Sequence, residues 1–222
     1  MIKKKLVIYG IGKFADYVHY VFDQDSEYEV CGFCVESAFN TEKSHRPNGR
    51  ALIDFEELEN HFSPSDYHLF IAVGNNLIRE RIFKMAKSKK FTLASYISTK
   101  ASVWENLRYG ENVFVDEGTM LQPFVKIGNN SIFFACNIGH HTSIGSHCLM
   151  SVTTTGGNVF IGDYSFVGMN TVIKQDVVVK EKNIIGMGCV IDKDTETGDV
   201  YNSKGTIKRS SSFEQVANRF LK

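Results

Sequence analysis

Net charge, long apolar runs and pairable cysteines are all missing from this 222-residue chain. Its 25 Lys and Arg offset 25 Asp and Glu, so nothing electrostatic draws it toward nucleic acid. No apolar run approaches the ~18 residues that a membrane span needs. The longest stretch free of Asp, Glu, Lys and Arg covers residues 127–162, but it is full of Asn, Ser, Thr, Gly and His. Neither a nucleic acid nor a membrane is an expected partner. Met1-Ile2-Lys3-Lys4-Lys5 leads straight into LVIYG, with no apolar signal core or cleavage site, which predicts a cytoplasmic protein. The five cysteines are odd in number and far apart, which argues against a disulfide framework. The length suits one domain of moderate size or two small ones, with a core that needs no staples.

What is present divides into two halves with different periods. Through residue 95, strands alternate with helices. Residues 4–9, 29–35 and 67–73 are short apolar runs, the first and third closed by Gly10 and by Gly74-Asn75-Asn76. Residues 13–23 place Phe14, Val18, Val21 and Phe22 on one helical face, and 77–88 do the same with Leu77, Ile78, Ile82, Met85 and Ala86. Asp54 with Glu57 has the capping-box spacing of a helix start, and the polar stretch 37–50, with Pro47-Asn48-Gly49, is a loop. This alternation predicts a small parallel sheet covered by helices.

Beyond it the stride is six. Ile97, Val103, Tyr109, Val115, Leu121, Ile127 and Phe133 are all apolar; a five-residue step reaches Ile138, and sixes resume at Ile144 and Met150. A break around Gly156-Gly157 resets the frame, which then runs through Ile161, Val167, Ile173, Val179, Ile185 and Ile191. A hexad is one flat face plus a corner, so three of them close one coil of a triangular prism with the aliphatic residue on the axis. Glycine often follows that residue, and we expect it to adopt the corner conformation. Ser211 with Glu214 and the apolar set Phe213, Val216, Ala217, Phe220 and Leu221 predict a C-terminal helix.

Together, YGIGKFA (9–15), AVGNNLIRER (72–81), IGHHTSIG (138–145), GGNVFIGDYSFVGMNTVI (156–173) and IIGMGCVI (184–191) resemble the bacterial nucleotide-sugar acetyltransferases of the hexapeptide-repeat superfamily, of the PglD/NeuD-like type. The resemblance implies an α/β Rossmann-like domain over 1–95 that binds a nucleotide-linked amino sugar. It implies an all-β left-handed parallel β-helix over 96–195 that carries the acyltransferase site, and a tail over 196–222 with a short C-terminal helix. It also implies acetyl-CoA as co-substrate, no metal, and a homotrimer with active sites between subunits. The charge-free segment 127–162 fits an inter-subunit wall, because interface cores are depleted in charge.

The implied reaction is N-acetylation of a nucleotide-linked amino-dideoxy sugar for surface glycan (lipopolysaccharide or O-antigen) synthesis. The amine must lose a proton and the thioester oxygen needs donors as it becomes an oxyanion. His140 holds the position of the family's catalytic base, and an imidazole changes charge near neutrality. His141 stands where relatives carry an acid. A second family histidine falls at Leu149, with His147 two residues away. Gly157 matches the amide aimed at the thioester carbonyl. Met169, Gly186, Met187 and Gly188 fall where relatives line the pantetheine.

In the first half, Gly10-Ile11-Gly12-Lys13-Phe14-Ala15 fits G-x-G-x-x-A between a strand and a helix, a pattern for close approach to a diphosphate. The domain is short for a dinucleotide, which favours a nucleotide sugar. Glu36 ends the second strand, where it is placed to meet ribose or base. Gly74, Asn75 and Asn76 close the third strand at the same carboxyl edge. Arg79 is expected either to touch phosphate or to be a solvated helix residue. Cys31 and Cys34 form a C-x-x-C with neither a helix start nor a second pair, so both are expected to be buried small residues. His140, His141 and His147 lack the spacing of a β-helix carbonic anhydrase. Sugar O-acetylation and a catalytically inactive trimeric scaffold are the competing functions.

Overall fold

The computed structural model describes residues 3–40, 49–206, 208, 210 and 212. Apart from residue 212, the predicted helix of residues 211–221 lies outside the described residues. Parallel strands β1 (Lys4–Tyr9), β2 (Tyr28–Val35), β3 (Ala51–Asp54), β4 (Tyr67–Ile71) and β5 (Thr92–Leu93) form a sheet in the order β3-β2-β1-β4-β5. Helices α1 (Lys13–Gln24), α2 (Leu58–His61) and α3 (Asn76–Ser88) pack on it. Leu6 and Ile8 meet Val18 and Phe22 on one side, while Val7 and Tyr9 meet Leu69, Ile71 and Ile82 on the other. Burial on both faces is why these strands read as continuous apolar runs. The strand order reverses between β1 and β4, which opens a crevice at the carboxyl ends. Asp54 caps nothing: its carboxylate accepts from Asn40 Nδ2 at 2.5 Å, and a short 3-10 turn follows it.

From Tyr96 to Tyr201 the chain winds a three-sided parallel β-helix. The inward residues Ile97, Val115, Phe133, Met150, Val167 and Ile185 stack on the first face. Ile127, Ile144, Ile161 and Val179 stack on the second, and Leu121, Ile138, Thr155, Ile173 and Ile191 on the third. The frame is continuous where the sequence suggested a reset. Met150 is followed five residues later by Thr155, 6 % exposed on the axis, whose hydroxyl accepts from the Gly139 N–H at 3.0 Å. A polar residue at an apolar position hid the repeat. At the open end the hexads fail: Val103 and Tyr109 are exposed, and Ala101 and Leu107 pack on the core instead.

The corner glycines serve a different purpose from the one expected. Those following inward residues do not have positive φ. A Cβ at Gly139 would run into the Gly156 carbonyl of the next coil, so glycine is needed there for close coil approach. The left-handed residues come two to three places after each inward residue. One edge, between the third and second faces, carries Phe124, His141, Asn158 and Asp176; the edge between second and first carries Asn112, Asn130, His147, Tyr164 and Lys182. The remaining edge carries Gly118, Ala135, Val152, Asn170 and Gly188.

The N-terminal domain sits on the first face. Phe114 and Ile132 point outward there yet are fully buried. Phe14 of α1 meets Phe114 and Phe134 edge-on at 5.5 and 5.6 Å, and Tyr17 Oη donates to Asp116 at 2.7 Å.

Candidate active site

His140, His141 and Gly157 converge on the edge between the third and second faces. The His140 N–H donates to Gln122 Oε1 at 2.9 Å, and its carbonyl accepts from the Asn158 N–H at 2.7 Å. His141 has φ +59° and rests its ring 4.6 Å from that of Phe124. The two imidazoles are perpendicular, with their Nδ1 atoms 3.0 Å apart. One proton fits between those nitrogens. When His140 supplies it, His140 Nε2 keeps a free lone pair. Gly157 lies under the same ring: a Cβ there would fall 2.5 Å from His140 Cε1 and 2.7 Å from Nε2. Among the described residues the Gly157 N–H donates to nothing. A cleft of about 250 Å³, lined by His140, Gly157, Asn158, Gln175 and Asp176, thus holds a potential base and a free backbone donor.

The residues of the first half part company. Arg79 is not solvated, and it has no donor left over for a phosphate. It is fully buried, donating to the carbonyls of Val73, Gly74, Asn130 and Cys148 and to Asn76 Oδ1 at 2.7 to 3.3 Å. All five guanidinium donors are used. Burial pushes its pKa down to about 10, so it stays charged at neutral pH. Asn75 is the cap of α3, its side chain accepting from the Leu77 and Ile78 N–H groups at 3.1 Å. Asn76 Nδ2 reaches the Tyr164 carbonyl of the β-helix at 3.2 Å. Gly74, Asn75 and Asn76 nonetheless line a cleft of about 510 Å³ with Leu77, Tyr164, Phe166, Lys182 and Ile184, at the meeting of the two domains.

Gly10, with φ +132°, brings the chain so close to β4 that a Cβ would lie 2.9 Å from the Ala72 carbonyl oxygen. Gly12 precedes α1, Lys13 is exposed at its start, and Phe14 belongs to the inter-domain core. Glu36 is held by Arg81 through two bonds of 2.6 and 2.7 Å and by Tyr9 Oη at 3.1 Å. Those bonds, Arg81 first, hold its carboxyl below the usual range.

His147 stands on a different edge from His140. Its ring stacks on Tyr164 at 4.9 Å and accepts from Asn130 Nδ2 at 2.8 Å at Nδ1. Asn130 in turn accepts from Asn112 at 2.7 Å, and Asn112 Oδ1 accepts from the Ile71 N–H at 2.8 Å. This ladder ties the β-helix to the end of β4. Burial lowers the His147 pKa. Within one chain His147 thus belongs to the domain junction and not to the His140 cleft.

Met169, Gly186, Met187 and Gly188 cluster by the edge between the first and third faces. The Gly188 N–H donates to the Met169 carbonyl at 2.8 Å, and Met169 and Met187 are exposed. Within one chain they face away from His140. The sequence reading missed Gln122, Phe124, Gln175 and Asp176. Only Gln122 left a trace, standing one coil before His140. Cys34 is buried as expected and Cys31 half-buried, and all five cysteines are free. Among the described residues no group of three His, Cys, Asp or Glu is placed to hold a metal, and no helix is long and apolar enough to cross a membrane.

Residues 5–86 match the PglD N-terminal domain family. The whole architecture is shared with the acetyltransferase domain of PglB from Neisseria gonorrhoeae, at TM-score 0.80 and 25% identity over 89% of this chain and 96% of that one. Its fold is also that of perosamine N-acetyltransferase from Caulobacter crescentus, described in complex with CoA and GDP-perosamine, at TM-score 0.79 and 22% identity over 88% and 92% of the two chains. By sequence the chain is 27% identical over 124 residues to the acyl-(acyl-carrier-protein)–UDP-N-acetylglucosamine O-acyltransferase of Ectopseudomonas mendocina, covering 54% of this chain and 48% of that protein. The chain spans about half the length of the curated relatives it matches.

Proposed function

We propose that the chain is an acetyl-CoA-dependent N-acetyltransferase acting on a nucleotide-linked amino-dideoxy sugar, in surface glycan synthesis. The observation that carries this reading is the packing of Gly157 against the His140 ring, with a Gly157 N–H that has no acceptor among the described residues. His140 Nε2 takes a proton from the acceptor amine as the nitrogen attacks the thioester carbon. The Gly157 N–H then faces the oxygen on which negative charge builds, in a cleft where such donors act most strongly. His141 Nδ1 accepts from His140 Nδ1–H and fixes the tautomer that leaves Nε2 open. Thiolate departure completes the transfer.

The remaining predicted residues support a second copy in the site. The candidate thioester-binding residues around Met187 and the base His140 occupy different edges of one prism. A homotrimer that sets one edge against the other completes the path without a change in either. Gly74, Asn75 and Asn76 then border the nucleotide end, in the cleft between the domains. The curated relative named above is an O-acyltransferase, so transfer to a hydroxyl is the second reading. Thiol release from acetyl-CoA, measured with UDP-, dTDP- and GDP-linked amino sugars and their hydroxyl counterparts, tests both. Turnover with an amino sugar, lost in His140→Ala, is expected. Turnover with hydroxyl sugars alone overturns N-acetylation, and turnover surviving in His140→Ala overturns the base.

A further inference from the structure

The histidine pair lies between two clefts, and the function described above uses only one. On the far side of His141 from Gly157, a cleft of about 490 Å³ is lined by Asn106, Arg108, Phe124, Lys126, His141 and Ser143. Arg108 and Lys126 are direct neighbours across the parallel ladder of the second face. Both side chains are exposed on the outside of the prism. Neither makes an ion pair or side-chain hydrogen bond among the described residues. Like charges placed opposite each other in a sheet are destabilising. On the same β-helix Lys100 and Lys180 each have a carboxylate partner. Phe124, whose ring lies beside that of His141 in the cleft, is 54 % exposed and held in the left-handed region at φ +69°.

We propose that Arg108 and Lys126 form an anion subsite for the acceptor, receiving an oxyanion attached to the sugar while its amine reaches His140. This rests on the acetyltransferase reading and adds direction to it. The acyl donor occupies the Gly157 side of the histidines, and the acceptor reaches from its anion on the Arg108 side past His141 to His140 Nε2. The exposed Phe124 face supplies an apolar floor for the sugar ring. Two source groups share the required chemistry: the diphosphate of a nucleotide-linked sugar and the carboxylate of an acidic sugar. A guanidinium binds either through paired donors, and the ammonium adds a point charge.

Steady-state kinetics with Arg108→Gln, Lys126→Gln and the double variant test this, with light scattering on each protein. We expect the acceptor KM to rise about tenfold per substitution, the size of one charge-assisted hydrogen bond, with the acetyl-CoA KM unmoved. Lys126→Arg is expected to restore most of the loss. A neutral nucleotide-linked amino sugar and a nucleotide-free acidic sugar form the two arms, and the arm showing the loss names the source. An unchanged acceptor KM in both arms overturns the subsite. So does dissociation of the assembly in the variants, which assigns the cations to a subunit contact. Calorimetric titration with inorganic pyrophosphate needs no turnover. Binding that weakens in the double variant upholds the subsite even if no amino sugar reacts and the acetyltransferase reading falls. Equal binding to both proteins overturns it.

Discussion

The Nδ1 atoms of His140 and His141 lie 3.0 Å apart across perpendicular rings. This contact needs one protonated and one unprotonated nitrogen. In a position where a carboxylate would act as a fixed acceptor, this chain has a group that either donates or accepts. His140→Ala is expected to lower kcat by about 10²- to 10⁴-fold, the usual contribution of a positioned base. His141→Glu, which accepts only, should retain activity, whereas His141→Ala should lower it with little effect on the KM for acetyl-CoA. A His141→Glu variant as inactive as His140→Ala would show that His141 does more than hold its neighbour.

Two glycines one coil apart should respond differently to the same methyl group. At Gly157 an added Cβ meets the His140 side chain, which is exposed and free to turn away. At Gly139 it meets the backbone of the next coil, which is not. Gly157→Ala is expected to leave the melting temperature within a few degrees and to lower kcat about a hundredfold, because the displaced imidazole loses its alignment. Gly139→Ala should lower the melting temperature and solubility first. Thermal melts beside turnover measurements separate the two.

Arg79 joins the domains through four carbonyls and one amide. Arg79→Met removes a buried charge but leaves those carbonyls without donors. We expect a loss of at least about 3 kcal/mol in chemical denaturation, as several buried acceptors become unsatisfied. The KM for the sugar should rise with it, since Gly74 and Asn76 lose their anchor. A variant as stable as wild type would place the domain junction elsewhere.

His147 makes the domain junction sensitive to acid. Burial lowers its pKa from the ordinary 6.5, so the unfolded chain takes up the proton more readily than the folded one. Its contribution is therefore intact above about pH 6.5 and is lost as pH falls below that value. Protonation would also turn Nδ1 from acceptor to donor and break the bond from Asn130. Melting temperatures between pH 7.5 and 5 should fall more steeply for wild type than for His147→Gln, whose amide oxygen still accepts. His68 is shifted the same way by burial, so part of the slope should remain. Parallel curves for the two proteins would refute the assignment.

While His140, His141 and Gly157 were singled out by the family resemblance, the sequence by itself determined the division into halves, the parallel sheet and the sixfold stride. These depend on local spacing: a helix face, a buried run and a hexad are each set by neighbours within a few residues. Coil stacking then follows from the repeat, bringing residues about one coil apart into contact. Only the tertiary structure decided the roles that depend on packing between elements. Arg79 read as either a phosphate contact or a solvated helix residue, yet docking of the domain on the prism buries it. Thr155 broke the apolar pattern because its hydroxyl satisfies a neighbouring coil, a partner invisible along the chain. Which edge each residue occupies also came from the fold: it separates His147 from His140 by one side of a triangle and sets Arg108 beside Lys126. Spacing fixes a residue's place within a coil, while long-range packing fixes what surrounds it.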